Sequence, residues 1–149
     1  MIASLNCQRV LNFIDSFVTG DIEGALSYCV DNLDYLASAP IDILPHMGHR
    51  HGKTETRKLW QTIYTRYDHL RHEVRTIAAE GDKVAVDLRA FFRKRTNQRI
   101  VQFDMAAFYT LRDGRISQIR EIIDTFDLVQ QVLEIDLGSI LVGMNPGTR

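Results

Sequence analysis

Cysteine is scarce in this sequence and shows no pairing pattern. The 149 residues include two cysteines, Cys7 and Cys29, which are far apart and lack a CxxC or histidine-paired spacing. A disulfide framework or a thiolate metal site is therefore not expected, and we expect both thiols to be reduced and buried. Long apolar runs are absent too, as is the basic and then apolar start of a signal peptide. We therefore expect a cytoplasmic protein that does not enter a membrane.

An excess of charge of either sign is also absent. Lysine and arginine number 18 and aspartate and glutamate 19, which leaves a net charge of −1. Neither nucleic acid nor a membrane surface is therefore expected as a partner. Hydrophobic residues at 45% and charged residues at 25% are ordinary for a globular chain, and this length fits one domain. We expect a single domain over residues 1–134 and a carboxy-terminal tail over 135–149.

The first half of the chain has helical periodicity. Apolar residues recur at helical spacing from about Ser4 to Thr19, and Gly20 is suited to a left-handed helix end. Asp21 can serve as the N-cap of a second, shorter helix. The pattern then predicts a short strand over 33–37, a loop containing prolines, and a third amphipathic helix over about 53–67.

The second half changes to the two-residue period of strands. Turn-forming pairs separate the segments, and these are Gly81-Asp82, Thr96-Asn97 and Asp113-Gly114. The predicted strands cover about 72–78, 83–92, 100–111 and 116–124, and a further helix begins near residue 126. Because helices come first and consecutive hairpins follow, we predict an α+β architecture rather than βαβ units.

Three segments carry a resemblance to a known family: Gly-Asp-Ile-Glu at 20–23, Tyr-Cys-Val-Asp at 28–31, and Leu-Arg-Asp-Gly-Arg-Ile-Ser-Gln-Ile-Arg-Glu at 111–121. Over about residues 5 to 130 the chain resembles the nuclear-transport-factor-2-like superfamily, which includes SnoaL-like polyketide cyclases, ketosteroid isomerases and limonene-epoxide hydrolases. The resemblance implies a cone-shaped α+β barrel, in which three amino-terminal helices pack on a strongly curved, mainly antiparallel sheet. It also implies an apolar pocket on the concave face, chemistry without a cofactor, and a homodimer through the convex face.

The resemblance also implies a register for the strands, because a slip of one residue would exchange the two faces. Ile119 and Glu121 then face the pocket, while Arg120 and Ile122 face away. The predicted substrate-binding residues are Trp60, Tyr64, Leu88, Phe92, Phe103, Met105, Tyr109 and Ile119. The aromatic residues of the third helix among them are equally typical of a plain core. The predicted ligand is a hydrophobic small molecule.

Glu121 is the first candidate for catalysis. A carboxylate among apolar side chains loses hydration, which raises its pKa and suits it to act as an acid or base near neutral pH. Its position resembles that of a catalytic aspartate in related cyclases and epoxide hydrolases. Tyr35 lies near the position of a pocket tyrosine and is the second candidate, because its hydroxyl could bind a substrate oxygen. The alternative for both is a structural hydrogen bond, possible for any buried polar pair.

Two family mechanisms do not transfer intact to this sequence. The Arg-x-Asp pair of the epoxide hydrolases aligns with Leu88 and Ala90, and the base and acid of the isomerases align with Ala37 and Ala107. Two hypotheses remain. The chain is either a SnoaL-like enzyme that performs cyclisation, isomerisation or hydrolysis by acid/base chemistry, or a non-catalytic binding or dimerisation domain with a degenerate site.

Histidines and a mixed surface complete the candidates. His46, His49 and His51 lie in a predicted loop whose spacing favours an exposed or structural role over a metal site, so no metal is expected. His72 is a separate candidate that could point inward on its strand. The convex face combines apolar and charged residues, which favours burial in a two-fold homodimer. The alternative is a solvated sheet face with cross-strand ion pairs. The predicted interface consists of Arg89, Phe91, Asp104, Phe108, Arg120 and Ile122.

Overall fold

Helices cover one face of a six-stranded sheet in the computed structural model, which describes residues 2–41, 44 and 47–143. The helices are α1 (Ile2–Val18), α2 (Ile22–Ser27), α3 (Gly52–Arg66), α4 (Thr125–Leu133) and α5 (Leu137–Gly143). The strands are β1 (Cys29–Ser38), β2 (Gly48–His51), β3 (Tyr67–Glu80), β4 (Lys83–Lys94), β5 (Ile100–Arg112) and β6 (Arg115–Ile123). The predicted α+β class, with three helices near the amino terminus, is confirmed.

The junction between α1 and α2 forms as its sequence predicts. Gly20 adopts a φ of 87°, and its N–H donates to the Phe17 carbonyl while the Asp21 N–H donates to the Ser16 carbonyl. This pair of bonds is a Schellman end, which a glycine adopts without strain. Asp21 then caps α2, because its side chain accepts from the Gly24 N–H at 2.9 Å. The junction folds α2 back beside α1 and leads the chain into the sheet.

The sheet is antiparallel at every pairing but one, and it is unclosed. Its strand order is β2-β1-β6-β5-β4-β3, with β1 parallel to β6. The edge strands β2 and β3 do not pair with each other in the described part of the chain. The cone is therefore open on one side, where α1 and α3 cross it.

Alternating burial in the sheet confirms the predicted strand register. Along β5, Phe103, Met105 and Tyr109 are buried, whereas Asp104 and Phe108 are exposed. The turn into β6 places Asp113 at a φ of 51° and Gly114 at 79°, the left-handed pair that a two-residue type I′ hairpin requires. This turn, together with a register shift between Thr110 and Leu111, fixes which face of β6 carries Glu121.

Three features differ from the sequence-based expectation. Strand β1 runs from Cys29 and is longer than the predicted 33–37, because a register shift between Cys29 and Asp34 takes up the polar residues between them. Strand β2 was expected to be loop, since Gly-His-Arg-His lacks apolar alternation. Helix α5 lies within the predicted tail, although the tail's last residues, 144–149, lie outside the described residues.

Both cysteines are unpaired; Cys29 is buried but Cys7 is only partly so. No helix within the described ranges is long and apolar enough to span a membrane.

Candidate active site

Two neighbouring cavities lie between the helices and the concave face of the sheet. The first, here called the inner cavity, has a volume of about 20 Å³ and combines apolar walls with a few polar groups. It is lined by Phe13, Ile14, Phe17, Tyr35, Trp60, His72, Tyr109, Ile119 and Glu121. The second, here called the apolar cavity, has a volume of about 40 Å³ and includes Leu59, Ile63, Phe92 and Phe103 in its walls. Tyr35 borders both cavities.

Curvature of the sheet brings the polar groups of the inner cavity together. Glu121 is on β6 and His72 is on β3, and strands β5 and β4 separate them in the sheet. In a flat sheet, three strand spacings would hold them about 14 Å apart. Both nevertheless line one cavity of about 20 Å³, so the sheet bends around it. The inner cavity therefore depends on the whole sheet rather than on one strand.

Glu121 is the ionisable acid of the inner cavity. The residue is half-buried, and its carboxylate shares the cavity with Phe13, Phe17 and Ile119. The Tyr35 hydroxyl donates a hydrogen bond to its Oε1 atom. Burial raises the pKa of Glu121 from 4.5 to about 7, although the Tyr35 hydrogen bond opposes this rise. Near neutral pH the group therefore exists in both its charged and its neutral form.

Two buried tyrosines stand beside this carboxyl group. Tyr35 and Tyr109 are 5% and 2% exposed. Burial, and then the negative charge of Glu121, raise the pKa of each tyrosine well above the ordinary value of 10. Both hydroxyls therefore keep their protons near neutral pH. Tyr35 acts as a hydrogen-bond donor that orients Glu121, and the edge of its ring packs against Trp60 with centroids 6.3 Å apart.

Both ring nitrogens of His72 are buried, and neither has a hydrogen-bond partner among the described residues. The ring is stacked on Phe92, with centroids 6.1 Å apart and planes at 12°, and it also contacts Phe17. Burial lowers the pKa of His72 from 6.5 to about 4. The imidazole is therefore neutral, with one donor and one acceptor nitrogen.

The structure divides the predicted substrate-binding residues into three groups. Trp60, Tyr109 and Ile119 line the inner cavity, and Phe92 and Phe103 line the apolar cavity. The other three, Tyr64, Leu88 and Met105, line neither cavity. Leu88 and Met105 have the predicted inward direction but are covered by core side chains, and Tyr64 packs beside Phe17 at 5.7 Å. Strand parity thus predicts the face of a residue but not its depth.

The positions aligned with charged groups of related enzymes are apolar and sealed. Ala37, Leu88, Ala90 and Ala107 are each no more than 1% exposed. Among the described residues that line the inner cavity, the ionisable side chains are Tyr35, His72, Tyr109 and Glu121. Any acid/base chemistry in this cavity must therefore use these groups.

The histidine-rich segment continues into the edge strand β2, and His49 and His51 line neither cavity. His49 and His51 are exposed on β2, and both contact Asp34 of β1, with His51 Nδ1 at 3.8 Å from its Oδ1 atom. The hydrogen bond from His49 is the main cause that lowers the pKa of Asp34. His46 lies outside the described residues. No cluster of three or more potential metal-ligating side chains occurs in the described ranges. Sequence reasoning missed Asp34 because its pairing partner β2 was not predicted.

The convex face carries the residues predicted to form a dimer interface. Arg89 donates to Asp104 at 2.8 Å, and Arg75 donates to both Asp104 and Asp87 at 3.0 Å. Between these charges, Phe108 and Ile122 are each 44% exposed. The Arg71 guanidinium lies 4.0 Å from the centre of the Phe91 ring, and Arg120 lies beside Phe108 on the adjoining strand. The surface therefore combines exposed apolar side chains with ion pairs among Arg75, Arg89, Asp87 and Asp104.

Removal of the Tyr35 hydroxyl should raise the pKa of Glu121 further. In Tyr35→Phe the carboxylate loses the hydrogen bond that favours its charged form, while the burial that opposes this form remains. The measurement is a titration of the Glu121 carboxyl carbon by carbon-13 NMR. Tyr64→Phe is the matched control, since Tyr64 lines neither cavity, and it should leave the titration unchanged. A pKa that falls in Tyr35→Phe would contradict this account of the pair.

Known proteins share both the sequence pattern and the fold. A family model described as a SnoaL-like domain matches residues 10–119. A provisionally assigned isomerase from Rhodopseudomonas palustris is 25% identical, with a TM-score of 0.78 over 85% of this chain and 97% of its own. An LEH-like epoxide hydrolase from M. tuberculosis is 19% identical, with a TM-score of 0.74 over 96% of this chain and 99% of its own.

A provisionally assigned SnoaL-like polyketide cyclase from Jannaschia sp. CCS1 is 15% identical, with a TM-score of 0.77 over 91% of this chain and 96% of its own. The likenesses to the epoxide hydrolase and the cyclase establish the fold alone. No match was found among curated proteins.

Proposed function

Because this chain belongs to the SnoaL-like domain family, we propose that it is a small-molecule enzyme that uses Glu121 for proton transfer on a hydrophobic substrate. The family is related to cyclases, isomerases and epoxide hydrolases. The observation that carries the proposal is one carboxyl group in an apolar cavity, held by Tyr35 and with a pKa of about 7. A group with this pKa both accepts and returns a proton near neutral pH.

The reaction class that fits this arrangement best is proton abstraction next to a carbonyl group. Ionised Glu121 takes a proton from the carbon beside the carbonyl, and the electron pair of that C–H bond moves into an enolate. In an isomerisation of a β,γ-unsaturated ketone, the C=C bond shifts into conjugation with the carbonyl, and protonated Glu121 returns the same proton to the γ-carbon. In a cyclisation, the enolate carbon attacks a second carbonyl carbon of the substrate, and Glu121 protonates the alkoxide that forms. Both reactions balance with one acid/base group and no cofactor.

Epoxide hydrolysis fits the cavity less well. It needs a base for the attacking water and a separate acid for the epoxide oxygen. The neighbouring hydroxyls of Tyr35 and Tyr109 hold their protons too strongly to serve as good acids, since burial raises the pKa of each. The sealed, apolar Leu88 and Ala90 supply no substitute. One-base chemistry is therefore favoured over hydrolysis.

An exchange assay tests the proposed class without knowledge of the natural substrate. The protein is incubated in deuterated water with a panel of apolar ketones, and proton NMR follows the loss of the signal next to the carbonyl. The expected result is catalysed exchange for at least one ketone above the rate in buffer. Ketones that bind the protein but exchange no faster than in buffer would overturn the enzymatic proposal.

A non-catalytic binding domain is the second candidate, and the apolar positions aligned with charged groups of related enzymes favour it. Ala37, Leu88, Ala90 and Ala107 supply no acid or base. The inner and apolar cavities, at about 20 and 40 Å³, are far smaller than the roughly 300–1,000 Å³ usual for drug-sized ligands, which limits the ligand of either candidate. The exchange assay separates the two candidates, because a binding domain would bind a ketone without exchanging its protons.

We also propose that a second copy of the chain covers the convex face. The proposed contact surface consists of Arg89, Phe91, Asp104, Phe108, Arg120 and Ile122. Its support is the pair of exposed apolar residues Phe108 and Ile122 on adjacent strands, since such a patch on a sheet favours burial against a partner. Arg89 and Asp104 beside it are already paired within the chain, so these two charges add little cost of burial when a two-fold partner approaches.

Ile122→Asp should dissociate this dimer. The substitution places an unpaired charge at the centre of the apolar patch, where burial against a partner becomes costly. Analytical ultracentrifugation at micromolar concentration should show the wild type as a dimer and the variant as a monomer. Leu5→Asp is the control, because Leu5 is exposed on α1, away from the convex face. A monomeric wild type, or a dimer that tolerates Ile122→Asp, would overturn the proposed interface.

A further inference from the structure

His72 lowers the stability of the fold, and its packing does not explain why a histidine occupies this position. Two buried ring nitrogens without partners cost stability, whereas a phenylalanine of similar shape would cost none. The ring already lies in an aromatic stack with Phe17 and Phe92, which phenylalanine would continue. The polar atoms of His72 thus have no structural purpose within the described part of the chain.

The inner cavity offers space in which the ring nitrogens of His72 can bind another group. His72 and Glu121 line it from strands on opposite sides of the bend, and most of the remaining walls are aromatic or aliphatic. A polar cavity of about 10–15 Å³ already suffices for one water-sized group. At about 20 Å³, the inner cavity has room for one oxygen atom with its hydrogens.

We propose that the inner cavity binds a hydroxyl group, from water or from the alcohol function of an apolar ligand, between His72 and Glu121. This inference rests on the proposed function, whose site it shares, and adds a second ligand-binding residue to it. A hydroxyl both donates and accepts, so it can donate to the carboxylate of Glu121 and accept from the N–H of His72. One hydroxyl oxygen therefore forms hydrogen bonds with both the Glu121 carboxylate and the His72 N–H.

Other ligand groups match the pair less well. A carbonyl oxygen only accepts, so it can bond to the His72 N–H and to protonated Glu121 but not to the ionised carboxylate. An anion would be repelled by Glu121 and receives no positive charge from the neutral imidazole. An ammonium group donates three hydrogen bonds, and the surrounding Phe13, Ile14 and Phe17 walls accept none. The hydroxyl is the group whose donor and acceptor pattern complements the cavity.

The experiment compares two probes and four forms of the protein. Cyclopentanol carries the hydroxyl, and cyclopentanone has the same ring with an acceptor alone. The proteins are wild type, His72→Phe, His72→Gln and the control His51→Gln, whose histidine is exposed on β2. Nitrogen-15 NMR of the histidine rings reports on His72 directly, and the titration of each probe gives its affinity.

Cyclopentanol is expected to shift the His72 ring nitrogens and to bind wild type more tightly than cyclopentanone. His72→Phe should lose about tenfold in cyclopentanol affinity, the equivalent of one hydrogen bond. His72→Gln, which keeps a donor and an acceptor, should lose much less, and His51→Gln should lose nothing.

A separate observation tests whether the bound hydroxyl comes from water. A high-resolution crystal structure grown without alcohol should show an ordered water within hydrogen-bond distance of both His72 and Glu121, and cyclopentanol should displace it. A cavity without this water, together with equal cyclopentanol affinity in wild type and His72→Phe, would overturn the inference. If His72→Phe does not fold, the wild-type nitrogen shifts and His72→Gln decide. If Glu121→Gln did not reduce the exchange rate, the proposed function would be wrong, but the proposed hydroxyl site would be unaffected.

Discussion

Glu121→Gln is expected to slow catalysed proton exchange about 10²- to 10⁴-fold, the usual contribution of a positioned acid/base group. Glutamine keeps the size of the side chain and can still accept the hydrogen bond from Tyr35. It cannot take up a proton at neutral pH. The loss should therefore appear in kcat rather than in the affinity for the ketone, because the cavity walls are unchanged.

Two controls make this result specific. Glu80→Gln removes an exposed carboxylate at the end of β3 and should leave the exchange rate within twofold of wild type, about the usual spread between preparations. Glu121→Asp keeps an acid but shortens its reach, so it should retain part of the activity that Glu121→Gln loses. Full activity in Glu121→Gln would exclude the proposed chemistry and leave ligand binding as the function of the cavity.

Local sequence signals predicted those parts of the fold that local chemistry determines. Gly20 and Asp21 end one helix and begin the next through backbone and side-chain bonds within a few residues. Asp113 and Gly114 form the turn into β6 because both tolerate a positive φ. The direction of Glu121 toward the concave side came from the family resemblance rather than from β6 itself, because the isoleucines at 116, 119, 122 and 123 do not alternate.

The rest of the site depends on contacts that no local pattern contains. Leu70, His72 and Val74 alternate with polar residues along β3. This alternation allowed His72 to point inward but did not predict which residues it would meet. That it meets Glu121 follows from the bend of the sheet across two intervening strands. Leu88 and Met105 show the converse, because the correct parity placed them inside the protein but not at a cavity.

The two cavity groups that bear the proposed chemistry also oppose folding. His72 is buried without partners, and Glu121 is held in surroundings that disfavour its charge. A well-packed apolar pair would stabilise the same core. The opposite holds on the surface, where hydrogen bonds from arginines lower the pKa of Asp68 and Asp104. These two departures from the most stable choice lie in the inner cavity, which is where a functional constraint is expected.

Glu121 by itself should lower the free energy of unfolding as the pH rises from 4.5 to 7. Its pKa is about 7 in the folded protein and 4.5 as the reference for the unfolded chain, so the folded state holds the proton more tightly in this range. Stability from this group is complete below pH 4.5 and is lost as the pH rises through about 7. The loss is up to about 3 kcal/mol at 1.36 kcal/mol per pKa unit.

Glu121→Gln isolates this contribution, because glutamine does not titrate while every other group is retained. Urea unfolding of both proteins at pH 4.5, 6, 7 and 8 should give similar stabilities at the lowest pH and a more stable variant at the highest. Surface aspartates such as Asp68 and Asp104 act in the opposite direction, since their lowered pKa values remove stability only in acid. They also cancel in the difference between the two proteins. A constant difference across this range would mean that Glu121 has an ordinary pKa and is well hydrated, and the case for proton transfer near neutrality would fail with it.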